Sequence, residues 1–232
     1  MLGRVAKAMA HQLFGGTCFL CRGAAKTGLL CRGCDADLPR LAGECCPRCA
    51  LPAPGGAVCG RCLSHPPRYE ATIAALAYAF PADALIQALK FRGELALAPL
   101  LAQLLVERLT ALRSPDWLLP VPIARGRLRD RGYNQALEIA RHVGRATGVP
   151  LAPQLCRRVR ETPAQTDLPW DRRAANVRGA FEAGGALDGA QVAVLDDVMT
   201  TGATLDEIAA TLKRAGAASV VNWVVARTLP PN

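Results

Sequence analysis

The sequence predicts an α/β protein: a mostly parallel sheet flanked by helices, preceded by a small cysteine-rich module. Eight of the ten cysteines occur as Cys-x-x-Cys pairs within residues 18–62. From residue 69 to residue 232, short apolar strand-like stretches alternate with helix-like ones. Such alternation is typical of a parallel sheet with helices on both faces. We therefore expect the cysteine-rich module at 1–65 and the α/β domain at 69–232.

The cysteine-rich module is an internal repeat. Its first four paired cysteines recur 28 positions later, and nine residues separate the two pairs in each copy. A Cys-x-x-Cys turn places two thiolates on one side of a knuckle, and two knuckles form a closed, tetrahedral site for structural zinc. We expect two zinc ribbons, at about 16–36 and 44–64, and two zinc ions. The candidate ligands are Cys18, Cys21, Cys31, Cys34, Cys46, Cys49, Cys59 and Cys62.

Two alternatives concern these cysteines. The repeat favours sequential sites, one per copy, although an interleaved arrangement satisfies the same spacings. A redox-active or merely buried set is the other alternative, and the common spacing rule argues against it. Cys45 and Cys156 stand outside the repeat and are interpreted as ordinary small apolar residues. His65 is interpreted as part of a short linker.

The elements of the α/β domain follow from apolar periodicity and from glycine and proline stops. The predicted strands span 73–79, 117–121, 192–195 and 220–226. The predicted helices span 83–92, 94–112, 135–147 and 205–215. A further short helix over 2–14 is predicted to form a packing surface.

The most informative segment follows the predicted strand at 192–195. That strand leads into Asp196 and Asp197, and then into a Thr/Gly turn that opens a helix. The turn offers backbone N–H groups, threonine hydroxyls and the positive end of a helix dipole, which together hold a phosphate. The adjacent carboxylates are suited to two vicinal hydroxyls of a sugar. The pattern predicts a 5-phosphoribosyl site beyond the carboxyl ends of the strands.

Three other interpretations of this segment are weaker. An acid pair after an apolar strand resembles a Walker B element, but the chain has no G-x-x-x-x-G-K-[ST] loop. No G-x-G-x-x-G follows a strand, which argues against a dinucleotide fold. An acid pair that merely caps a turn would not explain why strand, acids, turn and helix occur together.

Charge and hydropathy indicate the class of partner and the compartment. The formal net charge is +9, and four arginines lie within residues 125–131. Such clusters favour polyanions such as nucleic acid or nucleotides, although a solvated face is the alternative. No charge-free stretch is longer than 14 residues, fewer than the roughly 18 that span a bilayer. With no apolar signal core and no disulfide framework, we expect a cytoplasmic protein without membrane insertion.

Residues 192–204 resemble the motif that binds 5-phosphoribosyl-1-diphosphate (PRPP) in type I phosphoribosyltransferases. Further segments resemble the ComF (competence protein F-like) family: 90–93, 120–127, 131–135, Thr162 with Gln165, and 173–181. In that family a double zinc ribbon precedes a phosphoribosyltransferase domain, as here. The resemblance covers nearly the whole chain and implies a type I phosphoribosyltransferase-like fold.

The resemblance implies a role for each matching residue. Asp196 and Asp197 would hold the ribose hydroxyls, directly or through water bound to Mg²⁺. Arg125 and Arg127 would neutralise the diphosphate, which makes the two aspartates and Arg127 the candidate catalytic residues. The segment 157–180 corresponds to the family's mobile loop and hood. The cradle for the 5′-phosphate would be Thr200, Thr201, Gly202, Ala203 and Thr204.

Two functions of different class follow. In the first, which we favour, the protein binds PRPP and serves DNA uptake or the use of imported DNA, with single-stranded DNA and DNA-processing proteins as partners. In the second, it is an active PRPP-dependent base phosphoribosyltransferase in nucleotide salvage. A zinc-ribbon scaffold with a degenerate enzyme domain conflicts with the intact motif. The acceptor and turnover stay open, and the fold-level analogy also allows a homodimer.

Overall fold

The computed structural model describes residues 16–26, 28–41, 43–109, 114–161 and 177–230. The predicted helix over 2–14 lies outside these ranges. So do the last residues of the predicted helix over 94–112 and most of the loop segment 157–180.

The strands and helices are numbered in chain order. The strands are β1 (Gly16–Thr17), β2 (Ala24–Ala25), β3 (Ala71–Ala77), β4 (Trp117–Pro120), β5 (Cys156–Arg158), β6 (Phe181–Ala183), β7 (Gln191–Met199) and β8 (Ser219–Arg227). The α-helices are α1 (Arg32–Ala36), α2 (Gly60–Ser64), α3 (Ala82–Arg92), α4 (Leu97–Val106), α5 (Arg125–Arg131), α6 (Gln135–Thr147) and α7 (Ala203–Arg214). None of the helices in the described ranges is both long and apolar enough to cross a bilayer.

The central sheet has four parallel strands in the order β3–β8–β7–β4. Alternate residues of β7 enter the two apolar clusters, because successive side chains of a strand point to opposite faces. Ala193 and Leu195 pack with α3, α4 and α6, whereas Val192 and Val194 pack with α7. The predicted parallel sheet flanked by helices is confirmed.

Several predicted boundaries differ from the structure; the strand predicted over 73–79, for example, is Ala71–Ala77. Strand β7 continues to Met199 and contains the acid pair, because the ladder with β8 extends to the Met199–Arg227 pair. The helix predicted over 94–112 begins at Leu97, because residues 93–96 form a hydrogen-bonded turn. Helix α5 begins at Arg125, inside the segment 120–127 that resembles the family, where no helix was predicted.

The cysteine-rich module packs along the β3 edge of the sheet. The segment between the two ribbons adds an antiparallel bridge, Arg40 to Leu76. Two backbone hydrogen bonds flank it: the Ala77 N–H donates to the Pro39 carbonyl at 2.7 Å, and the Leu41 N–H donates to the Ala75 carbonyl at 3.0 Å. This pairing covers an edge that would otherwise expose unpaired backbone groups.

Candidate functional site

The eight repeated cysteines form two clusters, one from each copy of the repeat. In each cluster the four Sγ atoms lie within 4.8 Å of one another. The sequential arrangement that the repeat favours is therefore the one in the structure. Each ribbon closes its own four-thiolate site. The first site consists of Cys18, Cys21, Cys31 and Cys34, and the second of Cys46, Cys49, Cys59 and Cys62.

The geometry of both clusters fits zinc. The Cys21 and Cys31 Sγ atoms are 3.7 Å apart, and the Cys49 and Cys59 Sγ atoms are 3.6 Å apart. Tetrahedral coordination with Zn–S bonds of about 2.3 Å requires sulfurs about 3.8 Å apart. Because all four ligands are thiolates, the sites are closed and structural. Cys45 and Cys156 belong to neither cluster.

The acid pair and the Thr/Gly turn line one cleft of about 510 Å³ at the carboxyl ends of the parallel strands. Of the predicted residues, Asp196, Asp197, Thr200, Thr204 and Arg127 line this cleft. The sheet brings these residues together because β7 ends there and α7 begins there. This is the edge at which open parallel sheets bind ligands.

The two carboxylates have opposite electrostatic environments. Burial, followed by the charge of the neighbouring Asp197, raises the pKa of Asp196 well above its usual range. Burial opposes ionisation of Asp197 as well. The Lys90 ammonium, 3.1 Å from Asp197 Oδ2, nevertheless lowers the pKa of Asp197. The two pKa values are therefore shifted in opposite directions, and Asp197 ionises more readily than Asp196.

The phosphate turn, residues 200–204, leads directly into the 12-residue helix α7. Thr201 is buried, and its hydroxyl accepts a hydrogen bond from the Ala203 N–H at 3.2 Å. Gly202 has φ = 83°, and a Cβ there would lie 2.6 Å from Met199 Cε and 2.9 Å from the Tyr69 hydroxyl. Thr201 thus shapes the turn, while Thr200 and Thr204 line the cleft.

The two arginines assigned to the diphosphate lie in different places. Arg127 lines the cleft with the acid pair, whereas Arg125 lines a neighbouring cavity of about 520 Å³. The two cavities share the loop after β4 as a wall. We call the second one the arginine cavity, because its lining includes Arg125, Arg157, Arg158 and Arg160.

Relatives of known name match this sequence over nearly their whole length. The chain is 35% identical over 223 residues to DNA utilization protein YhgH of Salmonella typhimurium, covering 92% of this chain and 98% of that protein. It is 32% identical over 229 residues to Competence protein F of Haemophilus influenzae, covering 93% and 99%. The chain belongs to the ComF/YhgH family.

Two further comparisons concern the parts of this ComF/YhgH protein. The double zinc ribbon domain matches residues 9–63, which contain both cysteine clusters. Among solved structures, purine phosphoribosyltransferase from Pyrococcus horikoshii Ot3 aligns with 68% of this chain and 88% of its own. That alignment has 21% sequence identity and a TM-score of 0.32.

The cleft also contains residues that were not predicted as site residues. Lys90 reaches it from α3, and Arg131 from α5. Gln135 begins α6 and accepts a hydrogen bond from Arg131. Asn134 caps α6 by accepting the Ala136 N–H at 3.0 Å, and it donates to the Val121 carbonyl at 3.0 Å. Lys90, Arg131, Asn134 and Gln135 all lie in segments that resemble the family, so the resemblance was the available indication of their role.

Proposed function

We propose that this ComF/YhgH protein binds PRPP together with Mg²⁺ in the cleft at the carboxyl edge of the sheet. We also propose that the protein functions in DNA utilisation. One observation carries the proposal: the acid pair and the phosphate turn face a single cleft that also contains cationic side chains. The cleft thus offers groups suited to a diol, a phosphate and a diphosphate within one volume.

Each group of PRPP has a matching group of the protein. The carboxylate of Asp197, kept ionised by Lys90, would accept hydrogen bonds from a ribose hydroxyl. Backbone N–H groups of the turn and the amino end of α7 would bind the 5′-phosphate. Arg127 and Arg131 would bind the diphosphate, since guanidinium groups pair well with phosphate oxygens.

Magnesium fits this donor set. Mg²⁺ prefers oxygen ligands and is commonly held by one or two carboxylates together with the phosphates of a substrate. The raised pKa of Asp196 reflects burial and the charge of the neighbouring Asp197 carboxylate, and a bound cation would offset both. When bound, the ion would neutralise charge on the diphosphate. Asp196 would then hold the ion directly or through water.

The role in DNA utilisation is supported by the relatives and by charge. Salmonella YhgH is named a DNA utilization protein and the Haemophilus relative a competence protein. The arginine cavity adjoins the PRPP cleft and offers cations for the phosphates of a single strand.

We expect binding of single-stranded DNA that weakens with salt, and a smaller salt slope when Arg125 and Arg157 are both changed to Gln. Fluorescence anisotropy at several salt concentrations measures this slope, and an unchanged slope would remove the cavity from the interface.

The PRPP site is tested by calorimetry on the zinc-loaded protein with PRPP and Mg²⁺. We expect binding by the wild type and none by Asp196→Asn/Asp197→Asn. Asp116→Asn is the matched control. Asp116 accepts the Gln191 N–H at 2.8 Å, at the opposite end of the same strands, so the control variant should bind as the wild type does. No binding by a folded, zinc-loaded wild type would refute the proposal. Diphosphate release on addition of a base would extend it to catalysis.

A further inference from the structure

Arg227, the last residue of β8, is fully buried between the second zinc ribbon and the phosphate turn. Its Nε donates to the Cys49 carbonyl at 2.7 Å. Its Nη1 donates to the Met199 carbonyl at 3.0 Å and also to the Thr200 carbonyl. A single guanidinium thus joins a zinc-binding knuckle to the start of the phosphate turn.

The charge of Arg227 requires a partner, because burial of an unpaired cation is costly. Within the ranges that the structure describes, Arg227 forms no ion pair with a carboxylate. Four thiolates around one Zn²⁺ leave a net negative charge on the site. The Cys49 carbonyl of the second zinc site contacts Arg227. The negative charge of that site therefore balances the charge of the guanidinium.

The other knuckle of the same site contacts the next residue of the turn. Arg61 lies between Cys59 and Cys62, and its Nη2 donates to the Thr201 carbonyl at 3.0 Å. The carbonyls of three successive residues, 199–201, thus accept hydrogen bonds from two guanidinium groups. One belongs to Arg61 within the second site, and the other belongs to Arg227, which is hydrogen-bonded to that site. The equivalent position in the first ribbon, 28 residues earlier, is Gly33, which has no side chain to make this contact.

We propose that the second zinc site, through Arg227 and Arg61, holds the phosphate turn in its binding conformation. Arg227 is then a positioning residue, and occupancy of the second site sets the affinity for PRPP. This inference rests on the proposed PRPP site. The first zinc site shares an apolar cluster with α3 and α4, on the other face of the sheet, so its zinc should not affect the turn.

A first experiment tests the link without PRPP. Hydrogen exchange of residues 199–205 is measured in the full-length, zinc-loaded protein, in Cys59→Ser and in Cys31→Ser, its equivalent in the first repeat. We expect exchange in the turn to accelerate in Cys59→Ser, because local opening is easier once the turn loses its contacts, and to stay unchanged in Cys31→Ser. Equal exchange rates in all three proteins would overturn the inference.

A second variant leaves all eight zinc ligands in place and so applies even if Cys59→Ser does not fold. Arg227→Lys keeps the charge but loses the planar fork that reaches several carbonyls. We expect faster exchange of the turn with two zinc ions retained. The control is Arg40→Lys, because the Arg40 guanidinium contacts Asp35 in the first ribbon and not the turn. Unchanged exchange in Arg227→Lys would contradict the inference.

Calorimetry and zinc transfer to a chelator then test the connection to PRPP. Arg227→Lys should bind PRPP about tenfold more weakly than the wild type, and Arg40→Lys should bind it normally. Because coupling is reciprocal, PRPP should slow zinc loss from the second site and not from the first. Normal PRPP affinity in Arg227→Lys overturns this inference and leaves the PRPP site intact. No PRPP binding by the wild type refutes the proposed function, and the exchange experiment still decides whether zinc organises the turn.

Discussion

At the scale of single residues, the acid pair combines a binding role with a cost in stability. The folded protein raises the pKa of Asp196 through burial and the adjacent Asp197. A carboxyl group whose pKa is higher in the folded state binds more protons there than in the unfolded chain. The raised pKa therefore contributes its full stabilisation only below the ordinary aspartate pKa of the unfolded chain. This stabilisation is lost as pH rises through the raised pKa of the folded protein.

We predict that Asp196→Asn stabilises the unliganded protein, and more so as pH rises from 5 to 8, because the variant has no carboxyl group to ionise in the buried site. Urea unfolding of the zinc-loaded proteins at several pH values measures the difference in unfolding free energy. Asp116→Asn serves as the control for an Asp-to-Asn change outside the cleft, at the opposite end of the same strands. A stability difference between Asp196→Asn and the wild type that does not change with pH would contradict the raised pKa.

Gly202 is the residue on which the shape of the phosphate turn depends. Its φ of 83° is left-handed, and a Cβ would approach the buried Tyr69 hydroxyl to 2.9 Å. We predict that Gly202→Ala lowers the unfolding free energy by about 1–3 kcal/mol and weakens PRPP binding. Gly185→Ala is the control, because Gly185 has open space at its Cβ position and no left-handed φ. Denaturant unfolding and calorimetry measure the two effects, and equal stability of both variants would refute this account of the turn.

The sequence predicts the acid pair and the turn well because they lie in one continuous segment. Lys90 and Arg227 were missed as functional residues because they lie far from that segment in the sequence. Each meets the motif only after the sheet has formed, and Arg227 follows an apolar strand whose predicted end was residue 226. A buried arginine at such a position is recognisable only from the carbonyls that surround it.

At the scale of elements, prediction succeeded where apolar residues recur with a clear period. Helix α6 spans Gln135–Thr147 as predicted, with Ile139 and Val143 on its buried face. Helix α5 has the sequence RGRLRDR, in which Leu128 is the only apolar side chain and none is buried. It therefore has no apolar stripe to indicate a helix, and its first turn instead carries Arg125 and Arg127.

Asn134 connects two elements of the site, because it caps α6 with its Oδ1 and holds the loop after β4 with its Nδ2. We predict that Asn134→Ala loses about 1 kcal/mol of unfolding free energy through the cap and also weakens PRPP binding. Asn134→Asp keeps the cap and loses the donor to Val121, so it should affect binding more than stability. Calorimetry and urea unfolding separate the two effects. Normal PRPP affinity in both variants would exclude the loop after β4 from the site.

At the scale of the whole molecule, the ribbons belong to the same packing unit as the sheet. Three cysteines of the second site lie in one apolar cluster with Tyr69, Met199 and Leu205. The Thr72 N–H donates to the Pro47 carbonyl at 3.0 Å, beside the second site. The boundary predicted between residues 65 and 69 stays a prediction about domains. These contacts indicate that the two sides of it stabilise each other.

We therefore predict that a chain beginning at Pro66 lacks the stable fold of the zinc-loaded full-length protein. Truncation would expose the β3 edge and uncover the cluster around Tyr69. It would also remove the Cys49 carbonyl that accepts from Arg227 and the contact of Arg61 with the turn. Circular dichroism during thermal unfolding should show one cooperative transition for the full-length protein and none at comparable temperature for the truncated chain. Chelation of zinc from the full-length protein should lower its transition temperature, because zinc binding contributes folding free energy. A truncated chain that unfolds cooperatively and binds PRPP as the full-length protein does would show that the sheet needs neither ribbon, and would also contradict the role assigned to the second zinc site.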